Sequence, residues 1–180
     1  RALTTAPPPG APARGDSSYD ARSEWELSRL LAALDERAAE KGVKGLSADA
    51  SRELTRVAET CAAVLHREAR SAEGFAQLLG RARRSRDYAR VDALADAMTA
   101  RLAPSELCEL ARQPHPAVRA VAQEALQQLP TAILVALLGD PVDAETARTA
   151  LESQADEYES EEARLICNVL EQADDAEDDL

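Results

Sequence analysis

The sequence predicts an all-α chain of eight or nine helices, and three observations carry that reading. Hydrophobic residues make up 45% of the 180 positions while aromatics make up only 3%. The core must therefore be built from Ala, Leu and Val, which suits closely packed helices. No alternation of Val, Ile, Thr or Tyr runs long enough to mark a strand. Outside residues 1–20, Pro104, Pro114, Pro116, Pro130 and Pro141 all fall at expected helix starts or turns. There the missing N–H is tolerated, whereas in a helix interior each proline would cost about 3 kcal/mol. The length fits one domain or a short array of repeats, with room for a sizeable core.

Residues 1–20 hold Pro7, Pro8, Pro9, Pro12, Gly10 and Gly15 with almost no apolar periodicity, so they read as an extended arm or linker. The chain opens at Arg1 rather than Met, and the arm is expected to connect to an upstream domain or a larger complex. The helical domain is expected over 21–173, beginning with a helical pair at 23–70. Its first helix starts at Ser23, with Glu26 completing a capping box. Trp25, Leu27, Leu30, Leu31, Leu34 and Ala38 follow at helical spacing, with Trp25 as the expected core anchor, and Gly42 ends the run. After the turn around Lys41–Gly45, a second helix from Ser47 to Arg70 carries Leu54, Val57, Cys61, Val64 and Leu65 on one stripe.

A third helix begins near Ser71 with Phe75, Leu78 and Leu79, and a fourth near Asp87 with Val91, Leu94, Met98 and Leu102. The prolines then mark out short helices at 104–112, 116–129, 130–138 and about 141–154. A last helix, about 158–173, shows Ala163, Ile166, Cys167 and Leu170, and the acidic residues after it, 174–180, read as a disordered tail.

Within this frame the stretch Gln113–Leu129 is the most specific. A proline-marked turn leads into Val118-Arg119, then Ala122, Ala125, Leu126 and Leu129. A shift of 25 residues aligns Pro116, Ala122, Ala125 and Leu126 with Pro141, Ala147, Ala150 and Leu151, while Arg119 falls on Ala144. The stretch resembles the second helix of a HEAT-type helical repeat, and the likeness covers residues 103–155. It implies a right-handed stack of helical hairpins over 72–173, a HEAT-like α-solenoid whose curved surface presents a binding face. In that family the Arg matching Arg119 bridges neighbouring repeats.

Charge is uneven. The chain carries a net charge of −12, yet from Glu152 to Leu180 twelve acidic residues face a single base, Arg164, so that segment alone holds −11. A polyanionic end repels phosphate backbones and disfavours nucleic-acid binding. The opposite extreme is a basic cluster, Arg81, Arg83, Arg84, Arg86 and Arg90, against which only Asp87 stands. It reads as a solvated face or as a dock for acidic segments, since guanidinium groups pair bidentately with carboxylates. Together with Arg119 these are the candidate partner-binding residues.

Catalytic chemistry finds little footing. His66 and His115 are the only histidines, neither with a second ligand at metal spacing, and the His-Glu dipeptide of iron-binding HEAT-like enzymes does not occur. Lys41–Gly45 has the wrong order for a phosphate loop. Cys61, Cys108 and Cys167 lie far apart in apolar helical phase and read as small core residues in a reducing compartment. No run approaches the roughly 20 apolar residues of a membrane span. The expectation is a cytoplasmic, non-enzymatic adaptor or scaffold that binds another protein, without cofactor or metal. A helical-repeat enzyme or small-molecule lyase is the alternative, followed by a structural subunit of a larger assembly.

Overall fold

The computed structural model describes residues 20–39 and 47–178, with side chains through Ala173. The proline-rich arm before Asp20, the Lys41–Gly45 connection and residues 179–180 lie outside the described residues. Among the described residues there are nine helices and no strand. They are α1 (Ala21–Ala39), α2 (Ala48–Glu68), α3 (Ala72–Arg84), α4 (Tyr88–Arg101), α5 (Pro104–Ala111), α6 (Pro116–Gln127), α7 (Thr131–Leu137), α8 (Ala144–Asp156) and α9 (Glu161–Asp178).

Local chemistry sets most of these boundaries. Ser47, Ser71 and Asp87 each accept from a backbone N–H three residues on, closing the first turns of α2, α3 and α4. Pro104 and Pro116 open α5 and α6 at a position where no N–H is needed. At the other end, α9 runs to Asp178, past the end at 173 that the apolar pattern suggests. Nothing between Asp174 and Asp178 is Gly or Pro, so no residue there breaks the helix.

Two expectations about α1 are corrected. Its cap is Asp20, not Ser23: Asp20 accepts from the Arg22 N–H at 3.1 Å and from the Ser23 hydroxyl. Trp25 is not a core anchor but 54% exposed, with the Arg29 guanidinium 5.8 Å above its ring. The inward face of α1 runs instead through Glu24, Ser28 and Leu31. Trp25 sits one residue round the helix from Glu24, and Glu24 has buried polar partners that fix which side points in.

The core is aliphatic, as the composition requires. Phe75, the only phenylalanine, is fully buried with Leu31, Leu65, Leu94, Met98, Leu107, Leu110, Leu126, Leu134 and Leu151. Buried alanines on facing helices, among them Ala62, Ala72, Ala82, Ala122 and Ala150, let the backbones approach closely. α3 is central and touches α1, α2, α4, α5 and α6. Beyond it α5 packs on α6, α6 and α7 on α8, and α8 on α9.

Polar side chains tie successive turns together. Arg101 donates to the carbonyls of His66 at 2.7 Å and Arg67 at 3.1 Å, holding the end of α4 to the end of α2. Arg112 meets buried Asp143 at 2.7 Å and links the turn after α5 to the start of α8. Buried Gln154 donates to the carbonyls of Gln127 and Leu129 and accepts from Thr131, pinning the α6–α7 turn onto α8.

The three thiols are free, Cys61 and Cys108 buried and Cys167 half-buried. Burial, helped by the Asp143 charge, pushes the Cys108 thiol up to about 11, and burial raises Cys167 as well. Since the thiolate is the reactive form, iodoacetamide at about pH 8 is expected to modify Cys167 slowly and to leave Cys61 and Cys108 intact until the chain unfolds. Peptide mapping that finds Cys108 labelled as fast as Cys167 in the folded protein would contradict this packing.

Candidate functional site

The basic cluster is not one surface. Its five arginines, three at the end of α3, one in the turn after it and one on α4, take separate roles, and only Arg81 and Arg84, one helical turn apart, reach the same acceptor, Asp35.

Arg81 turns inward and is 17% exposed. One of its nitrogens bonds Asp35 of α1 and the other bonds Glu59 of α2 at 2.5 Å. Asp35, itself 10% exposed, also accepts from Arg84 at 2.7 Å and from Gln77 at 3.1 Å. Arg81 therefore joins three helices and belongs to the frame. Arg90 points elsewhere: it pairs with Asp87 at 3.5 Å and borders a small cleft of about 250 Å³ beside Glu59, His66 and Arg81. Arg119 is exposed on α6, with no ion-pair partner among the described residues, and borders neither cleft that Arg84 lines.

Arg83, Arg84 and Arg86 remain together. With Gly80, Tyr88 and His115 they line a cleft of about 410 Å³ that, among the described residues, no carboxylate borders. Arg83 lies 2.7 Å from Nε2 of His115, which arrives from the turn before α6. A guanidinium can only donate, so Nε2 accepts and the ring proton sits on Nδ1. That Nδ1 is buried and has no hydrogen-bond partner among the described residues. Tyr88, at the start of α4, exposes most of its ring beside the three arginines. A second cleft of about 520 Å³ shares Gly80, Arg84 and His115 and extends the groove towards Arg29 of α1 and Gln113 beyond α5, where the carboxylates Glu73 and Glu109 also line it.

Arg86 holds an unusual backbone. Its φ is +57°, the left-handed region. It occupies the position just past the cap of α3, where its N–H bonds the Arg83 carbonyl at 3.0 Å and the Asp87 N–H bonds that of Ala82 at 2.9 Å. This paired closure normally uses glycine, and a residue with a Cβ gives up about 1 kcal/mol or more by standing there. The strain places a guanidinium at the cleft mouth.

A further cleft, about 540 Å³, lies where α1 begins and α2 and α4 end. Its charged groups are engaged: Glu24 accepts from the N–H groups of Arg70 and Ser71, Arg101 holds two carbonyls, and Arg67 pairs with Glu68. Among the described residues no group of three or more His, Cys, Asp or Glu side chains is placed to hold a metal ion, and no helix is long and apolar enough to cross a membrane.

Comparison with known proteins returns nothing. No family model, no curated protein and no solved structure matches the chain.

Of the site, the sequence had indicated Arg83, Arg84 and Arg86. It carried no sign of the partition among the arginines, nor of His115 and Tyr88 as their companions. His115 read as a turn residue between two prolines. The one usable signal was Arg86 itself, a bulky residue where the end of a helix calls for glycine.

Proposed function

We propose that the chain is a non-enzymatic helical-repeat module that binds another protein, gripping an acidic segment of it in the cleft formed by Arg83, Arg84, Arg86, Tyr88 and His115. The observation that carries this reading is Arg86, held at φ +57° on the rim of a cleft that no described carboxylate borders. Strain of this kind persists where a side chain is needed in place, and here the side chain is a cation among cations. Arg83 contributes because its partner, His115, leaves its positive charge uncompensated. Arg84 shares Asp35 with Arg81 and is still largely exposed. Three guanidinium groups facing one space suit carboxylates, which they can pair with two hydrogen bonds each.

The architecture we propose for the module is a HEAT-like, right-handed stack of hairpins. Supporting it, α1 packs on α2, α3 on α4, α5 on α6 and α7 on α8, while α1, α3, α5 and α7 touch in succession and α4, α6 and α8 do the same. The free thiols, two of them buried, suit a reducing compartment, the cytoplasm.

Two variants test the reading against an oligo-glutamate peptide followed by fluorescence anisotropy. Arg83→Glu combined with Arg86→Glu is expected to weaken binding at least about tenfold, and added salt should weaken binding by the unsubstituted chain. Arg86→Gly is the sharper experiment. It relieves the left-handed strain and is expected to stabilise the fold by about 1 kcal/mol while weakening the peptide. Unchanged affinity in both variants would remove the cleft from the function.

A further inference from the structure

We propose that α9 carries a second docking surface, an apolar ridge with two carboxylates at its N-terminal end, whose partner is a basic amphipathic helix. α9 packs on α8 with Ala163 buried and Ile166, Cys167 and Leu170 half-buried, which accounts for its inward face. Leu165 and Val169 lie outside that face. They stand one helical turn apart and are 66% and 64% exposed. An amphipathic helix with one packed face has no structural need of a second aliphatic pair on its solvent side.

The surroundings choose the occupant. Glu161 and Glu162 lie four and three residues before Leu165, Gln172 three after Val169, so the helix places them beside the ridge, and all three are exposed. The segment from Glu152 to Leu180 carries −11. A second copy of this chain would set the same charge against itself, and an acidic peptide, a nucleic acid or an anionic membrane would meet the same repulsion. A helix with leucine-like side chains at i and i+4 and Lys or Arg at one end of that pair answers both features: its apolar pair covers Leu165 and Val169, and its cations meet Glu161 and Glu162. This surface uses none of the arginine cleft's residues.

The test uses a synthetic Leu/Lys peptide with helical periodicity, and a peptide of identical composition shuffled to destroy that periodicity, each titrated into the whole chain. The periodic peptide is expected to bind in the micromolar range and to gain helicity by circular dichroism, the shuffled one about tenfold more weakly. Leu165→Ser with Val169→Ser should reduce binding of the periodic peptide about tenfold, whereas Arg83→Glu with Arg86→Glu should leave it unchanged. Methyl resonances of Leu165 and Val169 in the unsubstituted chain should show the largest shifts, a readout that stands even if the double variant folds poorly. Equal binding of the two peptides, unperturbed Leu165 and Val169 methyls, or a dimer in sedimentation that the ridge substitutions abolish would each overturn the proposal.

Discussion

Glu24→Ala is expected to destabilise the fold by about 3 kcal/mol, because it empties the acceptor on which the start of α3 depends. Glu24 is 6% exposed and reaches from α1 to accept the N–H groups of Arg70 and Ser71, each at 3.0 Å, and the Ser71 hydroxyl. Glu106 reaches from α5 to accept the Ala72 N–H, and the Ser71 hydroxyl oxygen accepts that of Gly74 at 3.1 Å. The positive end of α3 is thus held between carboxylates from the two helices beside it. Thermal unfolding should show a fall in Tm of roughly 6–12 °C for a chain of this size. Glu24→Gln keeps an acceptor and loses the charge, so it should fall between the two.

Gly74 makes the same point with an inverted sign. A Cβ there would stand 2.5 Å from the anchored Glu24 Oε1 and 3.3 Å from Ala69 Cβ. Gly74→Ala should therefore destabilise, although alanine in a helix normally gains up to about 1 kcal/mol. Placed on Glu24→Ala, the same substitution should stabilise, a reversal that only direct coupling produces. Additive melting temperatures would remove Glu24 from its capping role.

The second large effect is expected at Asp35. Asp35→Ala leaves Arg81, 17% exposed, with Glu59 alone, and leaves Arg84 and Gln77 without their shared acceptor. The loss should be about 2–4 kcal/mol, at or just below the range for breaking a buried pair, since Arg84 is largely solvated and contributes little. A double-mutant cycle of Asp35→Ala with Arg81→Met should return a coupling of at least about 1 kcal/mol. Arg81→Glu would set a third carboxylate against Asp35 and Glu59 and is expected to unfold the α1–α3 region, with loss of cooperative melting. A coupling near zero would make the Asp35–Arg81 contact incidental.

Residues whose effect reaches only a few positions along the chain were legible in the sequence. Ser71, Asp87, Pro104 and Pro116 start their helices because a cap or a missing N–H works through local backbone. The basic cluster was legible as charge. Its sorting was not, because Asp35 lies 46 positions from Arg81 and 49 from Arg84, and His115 lies 32 from Arg83. Trp25 misled for a related reason. Size and hydrophobicity argue for burial, and nothing near it announces that Glu24, one position earlier, has partners 46 and 47 residues away.

The sequence by itself determined that the fold over the described residues is all-α, where most of its helices begin, that its core is Ala and Leu, and that its net negative charge gathers at one end. These properties follow from local backbone chemistry and composition, which each residue carries with it. Only the tertiary structure decided which face of α1 points inward, which arginines are spent inside the fold and which line a cleft, and that Leu165 and Val169 stay uncovered. Those outcomes depend on which helix lies beside which, and a charge or a methyl group has no role until packing supplies its neighbour or leaves it with none.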